Sequence, residues 1–385
     1  MQSIYLDHNA TTPTRPEVVE AMIRSQRSGY ANPASQHRPG QEAHALLENA
    51  RERIAEILGG CLTGPQPDRL IFTSGGTEAN NLAVLGIAQA RSRTPGRLLI
   101  SAIEHASVIG PAEHLLEQGW RLDTLSVTDQ GVLRLDLAPG LLDARTALVS
   151  VMLGNHETGV LQPIGAIAAL CNAAGVPLHC DAVAAVGKVP VDFRRLGLAA
   201  MTIAAHKFQG PLGIGALLLR HDVSLTPLCF GGHQQFGLRP GTESVALAIG
   251  LQTALELWQQ EQTAHAARLT ALRDRLEQGL SAACLGVVVH GRGADRLPHT
   301  SNVAFPGLDG QILLLALDMA GVACSVGAAC ASGSTELSPT LRAMNVPNHL
   351  AASSLRFSVG ATNDEAEIDE AVRRIAHVSS ELRGG

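Results

Sequence analysis

Aromatic residues are scarce in this chain: two tryptophans, two tyrosines and seven phenylalanines make up 3% of its 385 residues. Proteins that hold single-stranded nucleic acid stack bases on such rings. Acidic and basic residues are mixed without a basic run, at a net charge of −6, so nucleic acid is not an expected partner. No apolar run approaches the roughly 18 residues that span a bilayer. The opening stretch MQSIYLDHNATTP lacks the charged leader and apolar core of a secretory signal. A soluble, cytoplasmic protein with no membrane partner is expected. The seven cysteines, Cys61, Cys171, Cys180, Cys229, Cys284, Cys324 and Cys330, contain no CxxC pair, which argues against a disulfide framework and a bound metal. Most of them read as small core hydrophobes. Cys330, in the small-residue stretch SVGAACASGS, reads as an exposed thiol open to chemistry.

What is present is a long alternation. From about residue 40 to 220, helical and strand-like segments succeed one another, the pattern of an α/β domain on a mostly parallel sheet. RLIFT, RLLIS, RLDTLSV, TALVSVM, VPLHC, MTIAA and GIGALLL read as its seven strands. The few residues between the last two cannot form a crossover helix, so that pair is expected to be antiparallel. A helical stretch from roughly Glu243 to Ala283 leads into GVVVHG, SNVAF, a helix, VACS, SLRFSV and a closing helix for which Thr362 and Glu365 suggest a capping box. The expected division is a large α/β domain over 15–255 and a smaller α+β domain formed by 1–14 and 256–385.

The chemistry centres on Lys207, which follows the apolar strand Met201 to Ala205. Partial desolvation favours its neutral amine, the form that condenses with an aldehyde, so it is a candidate Schiff-base lysine. Asp181 ends a buried strand, where open α/β sheets place ligands, although it could equally cap a helix. Gly75, Gly76 and Thr77 sit where a strand turns into a helix, a terminus suited to phosphate. A dinucleotide fold competes for that feature, but GxGxxG is absent. His105 also follows a strand and reads as a cap or as a catalytic group, and His206 could donate to a phosphate. Lysine, carboxylate and thiol together suggest pyridoxal-phosphate chemistry ending in sulfur transfer.

The segments YLDHNATTP, NPASQH, FTSGGTEANNLA, EHASV, NHETGVLQPI, HCDAVAAVGKVPVD, AHKFQGPLGIGAL, GLRPGTES, GAACASGS and SSLRFSVG, in that order across nearly the whole chain, resemble the cysteine desulfurases of the nitrogen-fixation and iron–sulfur-cluster type. These belong to the class-V aminotransferases within the fold-type I pyridoxal-phosphate enzymes. The resemblance implies pyridoxal 5'-phosphate as cofactor and L-cysteine as substrate, with alanine and a persulfide on Cys330 as products. It makes Lys207 the tether and proton carrier, Asp181 the partner of the pyridine nitrogen, and His105 the ring stacked on the cofactor. Asn155 would reach the phenolic oxygen; Gly76, Thr77 and His206 would hold the phosphate; Thr242 would reach the same phosphate in the neighbouring subunit of a homodimer. Arg356 would clamp the substrate carboxylate, helped by Asn32. A sulfur-acceptor or scaffold protein would take the persulfide sulfur.

The chain departs from that pattern at Ala184, where glutamine is usual, at Ala204, where serine is usual, and at Phe236, Leu212 and His156. His156 or ordered water is the expected substitute for the donor lost near the phenolic oxygen. A selenocysteine lyase, a small-amino-acid aminotransferase and a non-catalytic partner in cluster assembly stand as alternatives.

Overall fold

Strands form here where β-branched and aliphatic residues run uninterrupted, because both faces of the sheet are covered by helices. The computed structural model describes residues 3–28, 31–92, 94–327 and 337–384, so Cys330 and its neighbours lie outside the described residues. In chain order the elements are β1 (Ile4–Tyr5), α1 (Pro16–Ser28), α2 (Arg38–Ile57), β2 (Arg69–Thr73), α3 (Gly76–Arg91), β3 (Arg97–Ser101), α4 (Ala106–Glu117), β4 (Arg121–Leu125), β5 (Thr146–Ser150), α5 (Ile164–Ala173), β6 (Leu178–Asp181), β7 (Ala200–Ala204) and β8 (Gly215–Leu219). Then follow α6 (Val245–Ala283), β9 (Val288–Val289), β10 (Thr300–Ala304), α7 (Gly310–Met319), β11 (Val322–Ala323), α8 (Pro339–Ala343), α9 (Asn348–Ala351), β12 (Ser354–Ser358) and α10 (Glu365–Gly384).

The seven expected strands make one sheet in the order β2-β8-β7-β6-β5-β3-β4. β8 runs antiparallel to both β7 and β2, and the remaining pairs are parallel. Because β8 is reversed against both neighbours, β2 points the same way as β7, and the carboxyl ends of β2, β3, β6 and β7 share one edge of the sheet. Ligands bind at such an edge in open α/β folds.

β10 pairs with β12 and β9 in an antiparallel sheet, and β1 pairs in parallel with β11. Helix α6 joins two cores: Leu251, Leu255 and Trp258 pack in the core of the large sheet, whereas Leu269, Leu272 and Leu276 pack with Leu6, Phe305 and Phe357. The 255/256 boundary falls inside this helix. The capping expectation for α10 is corrected. Asp364 rather than Thr362 takes the role, its Oδ1 accepting from the Glu367 N–H at 2.8 Å, because the helix starts at Glu365, one residue after Asp364.

Candidate active site

The loops leaving that sheet edge close around a cavity of about 320 Å³. From β2 the chain turns through Gly75 into α3, and a Cβ on Gly76 would lie 2.9 Å from Val183 Cγ2. The glycine therefore keeps the open N–H groups of a 16-residue helix accessible to the cavity. From β3 the chain reaches His105, which caps α4 by accepting from the Ser107 N–H at Nδ1, 3.1 Å away. With Nδ1 an acceptor, the neutral ring carries its proton on Nε2. From β7 a 3₁₀ turn over Ala205–Lys207 carries Lys207 into the cavity, where its ammonium donates to the carbonyls of Asn9 and Ala10.

Asp181 ends β6 and is the one carboxylate among the described residues lining the cavity. Its Oδ1 accepts from the Val183 N–H at 3.0 Å and its Oδ2 from Asn80 Nδ2 at 2.7 Å. Asn80 Nδ2 also donates to Ser107 Oγ at 2.8 Å, and that hydroxyl lies 2.8 Å from His105 Nδ1. A hydrogen-bonded chain thus joins Asp181 to His105. Burial holds His105 below its usual pKa, with Asp181 pulling the other way. Burial, then the charge on Lys207, pushes His206 down to about 4. Both rings are neutral at pH 7.

The opposite wall comes from the N-terminal segment and β12. Arg356, buried in β12, donates through Nη2 to Asp7 Oδ1 at 2.7 Å and through Nη1 to the His156 carbonyl at 3.1 Å. Its Nε is buried without a partner among the described residues. The His156 ring stands 5.1 Å from the His105 ring at 77°.

Lys207, Asp181, His105, Gly76, Thr77, His206 and Arg356 all line this one cavity. Asn155 does not. Its Oδ1 is spent on the Glu157 and Thr158 N–H groups at 3.0 and 2.9 Å and its amide on the Ile103 carbonyl at 3.2 Å, so it builds the turn. The neighbouring His156 faces the cavity instead. Asn32 is exposed and caps its own turn through the Ala34 N–H at 2.9 Å. Thr242 is also exposed and lines no part of this cavity. The alanines at 184 and 204 both face the cavity, whereas Phe236 and Leu212 are surface residues. Among the remaining thiols Cys171, Cys180 and Cys284 are buried, but Cys229 is exposed, against the expectation of a core role. Burial pushes Cys171 up to about 12, which keeps it protonated and inert.

Asn80, Ser107 and Lys188 escaped the reading of the sequence. Asn80 falls one helical turn after Gly76, on the same face, and Lys188 is a lone charge in the apolar run AVAAVGKVPV. Either signal could have been read.

The family model described as aminotransferase class-V matches residues 4–371. A cysteine desulfurase of Enterobacter agglomerans is 39% identical over 384 residues, covering 100% of this chain and 94% of the relative. Among solved structures, a NifS-like protein superposes with a TM-score of 0.91 at 32% identity, over 99% of this chain and 100% of the other. A structure titled SspA in complex with cysteine has a TM-score of 0.79 at 29% identity, over 92% and 98%.

Proposed function

The chain belongs to the aminotransferase class-V family, and on that footing we propose that it is a cysteine desulfurase. It is a pyridoxal 5'-phosphate enzyme that takes sulfur from L-cysteine, releases L-alanine and passes the sulfur on from a protein persulfide. The observation that carries this reading is the meeting of Lys207 and Asp181 in one cavity that also opens onto the N-terminus of α3. The residues fit the cofactor: a helix end for its phosphate, a lone buried carboxylate for its ring nitrogen and a lysine for its aldehyde. Gly76 contributes a cradle that a Cβ would fill. Bound there, the cofactor supplies an electron sink for the substrate α-carbon.

The chain's own groups do the rest. Lys207 would hold the cofactor's aldehyde, and its amine would hold the α-proton of the substrate. Asp181, fixed by Asn80, holds a proton on the ring nitrogen. His105, lining the cavity, would offer the proton on Nε2 to the bound cofactor and substrate. His156, next to it, takes the donor role first expected of Asn155. Gly76, Thr77 and His206 bind phosphate, and in a homodimer Thr242 serves the site of the other subunit. Arg356 receives the substrate carboxylate, for which Asp7 stands in until substrate arrives.

The Cys330 thiolate attacks the substrate sulfur. The carbon–sulfur bond breaks, the carbon side leaves as alanine after protonation, and Cys330 keeps the sulfur as a persulfide. A sulfur-acceptor or scaffold protein, in iron–sulfur cluster assembly or thiolation, receives it. No described helix is long and apolar enough to cross a membrane, and the reducing cytoplasm is the compartment that suits a free thiol. Cofactor-loaded protein given L-cysteine should release alanine, and mass spectrometry should find one added sulfur on the Cys330 peptide. Loaded protein that forms no alanine would overturn the reading.

A further inference from the structure

Lys188 is 4% exposed and lines the same cavity as Lys207. Among the described residues nothing forms a hydrogen bond or ion pair with its ammonium. A buried lysine normally has a carboxylate beside it. Asp181 is occupied by Asn80 and Val183, and Glu261, which shares a small cleft with Lys188, is paired with Arg15 at 2.8 Å. The backbone holds the lysine close to the reactive one. Gly187 has φ +81°, and a Cβ there would lie 2.0 Å from Phe208 Cβ. Residues 187–188 therefore lie directly against the residue that follows Lys207.

We propose that Lys188 is a positioning residue for Lys207: a second buried ammonium, with no counter-anion among the described residues, that lowers the proton affinity of the Lys207 nitrogen. Like charges in one poorly hydrated cavity lower each other's proton affinity. Burial, then the charge on Lys207, pushes Lys188 down to about 8, so it still carries its proton at pH 7. The histidines facing it add no charge of their own. Burial, aided by Lys188, lowers His8 and His265 to about 4 and His299 well below its usual value. On the Lys207 side, His206 is neutral and Asp181 is the single carboxylate lining the cavity among the described residues. Lys188 is thus the one lysine besides Lys207 facing the cavity.

The inference rests on Lys207 carrying the cofactor, which borohydride fixation and peptide mapping of the same samples report separately. In the loaded protein, the pH midpoint of the visible absorbance change should rise by about one unit in Lys188→Met, a roughly tenfold gain in proton affinity. Lys188→Gln, run in parallel in case the methionine variant does not fold, should behave alike. Lys188→Arg, which keeps the charge, should stay within about 0.3 unit of the parent protein on the same scale. An unmoved midpoint in the neutral variants, an arginine variant that shifts as far as they do, or a change confined to the KM for cysteine overturns the proposal. If Lys207 is labelled and the midpoint is unmoved, only this inference fails. If Lys207 is unlabelled, the functional reading fails with it.

Discussion

On the sheet side of the cavity the two groups expected to face the cofactor ring are already bonded: Asp181 through both oxygens, His105 through Nδ1. On the opposite side Arg356 Nε and His299 Nδ1 are buried without partners among the described residues. The contrast follows from what each wall must hold. A group that stays through every turnover is best met by side chains whose protonation and orientation are fixed beforehand. A substrate that arrives with its own carboxylate is best met by donors and cations not yet committed. The walls also differ in origin, one built from strand ends of the large sheet, the other mainly from the N-terminal segment and β12.

The largest expected effect tests the receiving wall. Arg356→Lys keeps a charge opposite Asp7 but loses the planar fork, so kcat/KM for L-cysteine should fall roughly 100-fold, with most of the loss in KM. A fall in kcat alone would assign Arg356 to the chemistry and erase the distinction between the walls. A smaller effect tests the resident wall. Asn80→Leu retains volume but removes the donor shared by Asp181 and Ser107, so kcat should fall about tenfold with KM unchanged, the cost of an unpaired bond to a charged group. The absorbance of the loaded protein should shift in the same variant, which loss of packing alone would not cause.

How much of this was legible in the sequence differs between the same regions. The seven strands and the antiparallel β7–β8 pair follow from apolar runs and a short connection, both local features. Lys207, Asp181 and Gly76 follow from their places at strand ends. His156 rather than Asn155 lines the cavity because adjacent residues in a tight turn point opposite ways, and the segment NHETGVLQPI does not say which of the two faces inward. The edge of the sheet was illegible for another reason. Gln235 pairs its side chain with both the Phe72 N–H and carbonyl, at 2.6 and 2.7 Å, which closes β2 as another strand would. It does so with φ +50° at Gln235 and +63° at Phe236, conformations that their residue types do not announce. The Asp7–Arg356 pair joins residues 349 positions apart, beyond any local pattern.

Titration separates the two regions by the smallest margin. His8, in the N-terminal segment, and His290, just beyond β9, are pushed to about 4, chiefly by burial, and His299 lies well below its ordinary value for the same reason. Each binds a proton near 6.5 when the chain unfolds but resists it when folded. The stability they contribute is therefore fully present above about 6.5 and lost as pH falls toward 4. The large sheet holds His179, clasped between Ser150 and Thr202, and the loops leaving it carry His105, His156 and His206, all lowered by burial as well. It also holds Glu104, which burial raises to about 8. That acid keeps its proton when folded, so its contribution is full below its ordinary value near 4.5 and lost as pH rises through about 8. Amide protection factors should accordingly drop from pH 7 to pH 5 in Thr300–Ala304 and Ser354–Ser358 and also in Thr146–Ser150 and Ala200–Ala204. Each histidine that must charge adds up to roughly tenfold per pH unit. Between pH 7 and 9 the two regions should part, with the sheet around Glu104 losing more. Equal losses there would mean that the two cores open together, and that the difference between the walls lies in their side chains alone.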